Sequence, residues 1–168
     1  MTQRLMDTKP QSKPRTVTRQ EMQVIEFNLG TDRFAIDIQN IKEIVEYTRI
    51  RPLPNSPPHI KGIIDLRGEI TTIIDLALFM NQASKTSEEK KRIIILDIIE
   101  KNHKLGFLVD DVHSVLAIDQ NLVDYSVHQG YDDAGHIQGI IKKRYDEGQN
   151  SQTDLIIWLN IEQILLEI

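Results

Sequence analysis

Cysteine is absent from the 168 residues, which excludes disulfides, thiolate metal sites and cysteine nucleophiles together. Long hydrophobic runs are absent too. No stretch reaches the ~20 apolar residues of a membrane helix, and the N-terminus lacks the apolar segment of a secretory signal. A cytoplasmic location is therefore expected. Basic excess is missing: the net charge is −5, which opposes a dedicated nucleic-acid binder. Aromatics make up only 5% of the chain. Phe27, Phe34, Phe107 and Trp158 fall at apolar strand positions, so they are expected in the core and not on a wet base-stacking face. The eight glycines are scattered singly and form no phosphate-cradling run. The five histidines make no H-x-H or H-x-x-x-H pair, and no serine sits in a nucleophile-elbow context. No catalytic residue, cofactor or metal is expected.

What remains is a chain of ordinary composition, 40% hydrophobic and 27% charged, long enough for one domain or two small ones. Residues 1–20 read as a flexible tail, with Pro10, Pro14, five basic residues and little to bury. From Met22 the pattern turns to period two. Ile25, Phe27 and Leu29 alternate, Gly30-Thr31-Asp32 marks a turn, and Phe34, Ile36 and Ile38 alternate again, so a hairpin with one apolar face is expected. "IQNIKEIVEY" reads as a short helical turn and then a strand, and the four prolines between residues 52 and 58 demand an irregular loop. "RIIILDII", "KLGFLVDDV", "HSVLAI", "IQGIIKKR" and "LIIWLN" read as further strands, with "YDEGQNSQTD" as a turn region. Asp110-Asp111 and Asp132-Asp133 read as solvated turn residues. Asn160 and Gln163 form a capping-box start to a final helix whose apolar stripe is Ile161, Ile164, Leu165 and Ile168. About nine or ten short strands with frequent turns is the profile of barrels or sandwiches.

The stretch "GIIDLRGEITTIIDL", residues 62–76, carries two aliphatic-Asp-Leu units around Arg67-Gly68-Glu69. Matching apolar to apolar pairs Leu66 with Ile70 and leaves a three-residue turn around Gly68. Asp75 is placed to cap a short helix over "LALFMN", and Asp65 lies on the polar face, so both aspartates read as structural. Arg67 has two readings that spacing alone leaves open. It is a solvated tip with a weak local ion pair, or an interface anchor held out by a rigid hairpin.

Several blocks occur in the order found in the CheW family of chemotaxis coupling proteins: "FNLGTDRFAIDI", "IKEIVEY", "LPNSPPHIKGIIDLRGEITTIIDL", "GFLVDDVHSVL", "IQGII" and "LIIWLNIEQIL". The chain resembles that family over residues 22–166. The resemblance implies an all-β fold of two packed five-stranded SH3-like β-barrels with short helices and a C-terminal helix, spanning residues 21–168 as two subdomains after the tail. It implies no enzymatic activity. It also implies two partners: the regulatory domain of a CheA-type histidine kinase, and the cytoplasmic tip of chemoreceptors. On this expectation the chain is monomeric outside the signalling array, recruited to membrane-associated receptor arrays, and binds neither nucleic acid nor the bilayer directly. Residues carried over as partner-binding are Ile41, Glu43, Gly62, Arg67, Gly68, Gly106 and Val115. The resemblance equally admits an adaptor of a non-chemotactic receptor–kinase pathway, or a receiver-less CheV-like coupling protein. Asp65, Thr72 and Ala77 depart from the residues usual in the family, and the segment from Tyr145 to Thr153 is extra.

Overall fold

The computed structural model describes residues 21–98, 103–126 and 134–168, without the side chains of Asp146 and Glu147. The expected tail and the Asp132-Asp133 pair lie outside the described residues. Strands dominate: β1 (Met22–Leu29), β2 (Asp32–Asp37), β3 (Ile41–Glu46), β4 (Ile60–Leu66), β5 (Glu69–Asp75), β6 (Arg92–Leu96), β7 (Lys104–Val109), β8 (Asp111–Ile118), β9 (Val123–Asp124), β10 (Ile137–Glu147) and β11 (Asn150–Leu159). Helix α1 (Leu76–Phe79) follows β5, and α2 (Ile161–Leu166) follows β11.

The strands form two sheets, ordered β8-β1-β2-β11-β10-β9 and β3-β6-β7-β5-β4. Two five-stranded units were expected; the first sheet has six strands because the two-residue β9 adds an edge to β10. Neither sheet is built from one continuous half of the chain. The β1–β2 hairpin sits between β8 and β11, and the β6–β7 hairpin sits between β3 and β5. Each inserted hairpin makes one parallel join, Phe34 opposite Ile157 and Ile74 opposite Phe107, while the other pairings, including the joins β1–β8 and β3–β6, are antiparallel.

This exchange explains the burial. The expectation of one apolar face on the first hairpin is corrected, because Val24 and Ala35 are as buried as Phe27 and Phe34. Phe27, Leu29, Phe34 and Ile36 face a core shared between the sheets, with Ile74, Leu76, Ile94, Phe107, Ile161 and Ile164. Val24 and Ala35 face a second core with Ile118, Ile141, Ile156 and Trp158. The continuous run of β6 splits likewise: Ile94 and Leu96 point into the shared core, Ile93 and Ile95 into a third core with Ile50, Ile64, Ile73 and Leu108. A strand buried on both faces needs no polar alternation. The four large aromatics are core as expected, and the Trp158 Nε1–H donates to Asp37 Oδ1 at 2.8 Å.

Both helix caps follow the sequence reading. Asp75 Oδ1 accepts from the Leu78 N–H at 3.1 Å, and Asn160 Oδ1 from the Gln163 N–H at 3.2 Å. The cap residues are tied in turn, the Asp75 N–H donating to the His59 carbonyl and the Asn160 N–H to the His136 carbonyl. Phe79 lies between those two histidine rings, 5.6 and 5.1 Å between centroids, and so touches both halves. Asp110 corrects the solvated-turn reading. It is 4% exposed and accepts from the Gly30 N–H at 2.7 Å and the Ser84 hydroxyl at 2.6 Å, holding the loop after α1 against the first turn. The expected turn region from Tyr145 to Asp154 is mostly strand, with β10 and β11 in register to Glu147 opposite Asn150.

Gly62 shows what close backbone approach demands. The chain after β3 returns to β4, where Arg51 and Ile63 exchange both backbone hydrogen bonds at 2.9 Å. Gly62, buried at φ +150°, leaves room for that approach; a Cβ there would sit 2.2 Å from the Arg51 carbonyl oxygen. Gly68 has φ +85° but open space around it. Urea denaturation should therefore show Gly62→Ala losing at least about 2 kcal/mol through strain and overlap, and Gly68→Ala about 1 kcal/mol through φ alone. Equal losses would contradict the close-approach account.

Candidate interaction site

The hairpin β4–β5 turns through two residues, not three. Leu66 pairs with Glu69, and Asp65 pairs with Ile70. Arg67 and Gly68 both have positive φ, 53° and 85°, which is the type I′ geometry whose twist matches a two-residue hairpin. Apolar matching failed because Ile70 is 61% exposed, while next to the turn the buried position of β5 is Thr71. Asp65 Oδ1 accepts from the Gly68 N–H at 2.8 Å, so this aspartate stabilises the turn.

The turn aims Arg67 at β3. In a flat sheet β3 and β5 would lie about 14 Å apart, three steps of ~4.8 Å. Yet the Arg67 Nη2 donates to both carboxylate oxygens of Glu43 at 2.5 Å. The sheet therefore curls, and the Arg51–Ile63 bridge is the backbone expression of the same curl. Between the hairpin tip and β3 lies a cleft of about 450 Å³. Leu66, Ile95 and Leu96 line it along with Lys42, Asp97 and His103, and a second ion pair, Glu69 with Lys104 of β7, lies beside the first.

The Arg67 guanidinium holds the Glu43 carboxyl below its ordinary range, chiefly through the hydrogen bond; desolvation opposes this, and the charge of Arg67 adds a smaller push downward. Glu43 raises Arg67 through the same hydrogen bond and through charge. The side chains are 71% and 29% exposed, so water and salt screen the pair, and its value lies in orientation more than in stability.

The seven expected residues do not form one surface. Glu43, Arg67 and Gly68 lie on or beside this cleft, on β3 and the hairpin tip, while Ile41, at the start of β3, is partly buried against the shared core. Gly62 is buried under Arg51. Gly106 is buried in β7, where a Cβ would meet Ile73 and Ile93 at 3.0 Å and Ile95 at 3.2 Å. Val115, 50% exposed, stands on β8 at the edge of the other sheet, opposite Ile25. Sequence reasoning missed the Glu69–Lys104 pair and Lys42; no motif marks them, and only the correct two-residue turn would have aligned Glu69 with the tip. Among the described residues no three His, Asp or Glu side chains are grouped to hold a metal, and no helix is long and apolar enough to cross a membrane.

Comparison with known proteins shows the family and the fold. A family model described as "CheW-like domain" matches residues 23–168. The chain is 32% identical over 148 residues to the chemotaxis protein CheW of Thermotoga maritima, covering 88% of this chain and 90% of that one. It is 33% identical over 111 residues to the chemotaxis protein CheW of Treponema pallidum, a match spanning 64% of each chain. The crystal structure of the scaffolding protein TtCheW from Thermoanaerobacter tengcongensis superposes with a TM-score of 0.71 at 27% identity, covering 89% of this chain and 91% of that one.

The depressed Glu43 carboxyl has a direct consequence. The Glu43–Arg67 attraction is complete above the ordinary carboxylate pKa and disappears as pH falls through the lower value in the folded protein. Carboxyl carbon NMR across an acid titration should find Glu43 titrating below a free glutamate in the wild type and moving up in Arg67→Ala. An unmoved Glu43 would mean that the pair does not persist in solution.

Proposed function

Because the chain belongs to the CheW-like domain family, we propose that it is a non-enzymatic adaptor coupling chemoreceptors to a CheA-type histidine kinase. The observation that carries the reading is Arg67. A two-residue hairpin fixes its backbone, Glu43 orients its head, and it remains exposed. An exposed arginine already ordered before binding loses little entropy on docking, and arginine is enriched among the residues that dominate interface energies.

Glu43, Arg67 and Gly68, with Ile41 at the start of β3, form one partner surface in this reading, around the cleft between β3 and the hairpin tip. Val115 on β8 belongs to a second surface facing a different partner. Gly62 and Gly106, being buried, act by shaping the strands that carry those surfaces. The kinase regulatory domain and the receptor tip are the two partners, and the protein is a monomer recruited from the cytoplasm to receptor arrays. Contacts of at most ~800 Å² per partner can each be weak, and an array then gains strength by multivalency.

The test is a calorimetric titration against the regulatory domain of a CheA kinase from the same genome and against a receptor tip fragment. Arg67→Ala should weaken one of the two contacts by about 1–3 kcal/mol while circular dichroism stays unchanged. Wild-type protein that binds neither partner would remove the coupling function.

A further inference from the structure

The two halves of the chain follow one plan. A hairpin (β1–β2, β6–β7) leads to a third strand (β3, β8) and then to a hairpin ending in a capped helix (β4–β5–α1, β10–β11–α2). In each half a pairing irregularity precedes a glycine, Gly62 and Gly139, within "IKGII" and "IQGII". The last hairpins nevertheless differ in length. β4 ends four residues past Gly62, whereas β10 runs eight residues past Gly139. At ~3.3 Å per residue the second hairpin overshoots the first by about 13 Å.

That overshoot is a free-standing ribbon. The pairing of β10 with β9 stops at Ile141, and the pairing of β11 with β2 stops at Ile156. Among the described residues, 142–155 pair only across their own hairpin. A lone two-stranded ribbon is marginal in water, and this one is fastened at its base. Glu26, 1% exposed, accepts from Arg33 at 3.0 Å and Lys143 at 3.4 Å. Arg33 also reaches the Tyr145 hydroxyl at 3.1 Å and Asp154 at 3.4 Å, and the Lys143 ammonium lies 4.7 Å from the Tyr145 ring centroid. A buried carboxylate needs such partners, and here they come from the arm. One face of the arm is thereby committed to the body.

The opposite face is uncommitted. Lys142 stands opposite Leu155, and Arg144 opposite Thr153, so these four share one side. Lys142 and Arg144 are exposed and make no ion pair with a described residue, the charge of Lys142 acting only weakly on Asp124 of β9, and Leu155 is 60% exposed. We infer that this ribbon is an interaction arm whose Lys142–Arg144–Leu155 face docks on a protein surface carrying carboxylates around an apolar side chain. Lys142, Arg144, Thr153 and Leu155 include no aromatic side chain on which a nucleic-acid base could stack, so two cations beside a leucine suit an acidic protein surface better than a nucleic acid. The arm extends from the sheet that holds β1, β2 and β8–β11, whereas the Arg67 tip belongs to the other sheet, so its contact is additional to that one.

The inference rests on the coupling reading for the identity of the partner. Full-length wild type, K142E/R144E and Leu155→Ser are titrated at low and high salt against the kinase regulatory domain, the receptor tip fragment and a second copy of the chain. Arg67→Ala runs in parallel. The double variant should bind either the kinase domain or the receptor fragment at least tenfold more weakly at low salt, with the difference shrinking as salt rises, and Leu155→Ser should lose several-fold against that same partner. If both arm variants match wild type while Arg67→Ala is impaired, the arm inference is overturned and the coupling reading stands. A change seen only in self-association also overturns it. No wild-type binding to either partner would remove the coupling reading, and the arm's assignment with it.

Discussion

Two parallel pairings, Phe34 beside Ile157 and Ile74 beside Phe107, hold the molecule together. Each joins a hairpin from one half of the chain to strands from the other. Neither sheet can then be completed until both halves are present, and the shared core between the sheets draws Phe27 and Phe34 from one hairpin and Ile94 and Phe107 from the other. Long-range pairing of this kind must offset loop-closure entropy before it gains contact energy. Small loop contacts assist it: Asp110 fastens the loop after α1 to the first turn, and Phe79 lies against a histidine from each half.

The site inherits its geometry from this frame. With β6 and β7 inserted between β3 and β5, Glu43 and Arg67 stand three strands apart and meet only because the sheet curls. The curl depends on Gly62, where any side chain would collide with Arg51. Ile73, Ile93 and Ile95 close over Gly106 from neighbouring strands and exploit its missing side chain in the same way. These glycines matter to a surface they do not reach. The Glu43–Arg67 pair contributes little to stability in solvent, but it keeps a long side chain in one direction, which is what a docking residue requires.

Much of this was legible in the sequence. Period-two alternation located most strands, the caps at Asp75 and Asn160 located both helices, and the family blocks indicated the all-β fold. Three things were not legible, each for a physical reason. Burial on both faces of β1 erases the alternation that marks a solvent side, so a single apolar face was inferred where there are two. The turn at Arg67-Gly68 was misread because apolar pairing is a weak guide when an isoleucine, Ile70, faces outward. The exchange of hairpins leaves no local mark, since it depends on which strands meet across the chain. The one sequence feature that bears on it, the repeat of "IKGII" and "IQGII", reports the common plan of the halves but not their crossing.

The departures from that common plan are informative because the plan itself is so regular. The first half ends its last hairpin at once, in two residues with positive φ, and places one charged side chain at the tip. The second half extends the equivalent hairpin and stakes a buried carboxylate, Glu26, on holding it in place. A buried charge is a costly way to stabilise a fold, since well-packed apolar residues usually serve as well or better. Its retention is easier to understand as a means of orientation: Arg33 and Lys143 can satisfy Glu26 only when the ribbon stands where it does. The two halves thus present two rigid projections built by opposite means, one short with its charge at the tip and one long with its anchor at the base. A common plan with unequal hairpin lengths gives the molecule two different projections without altering the core that both halves share.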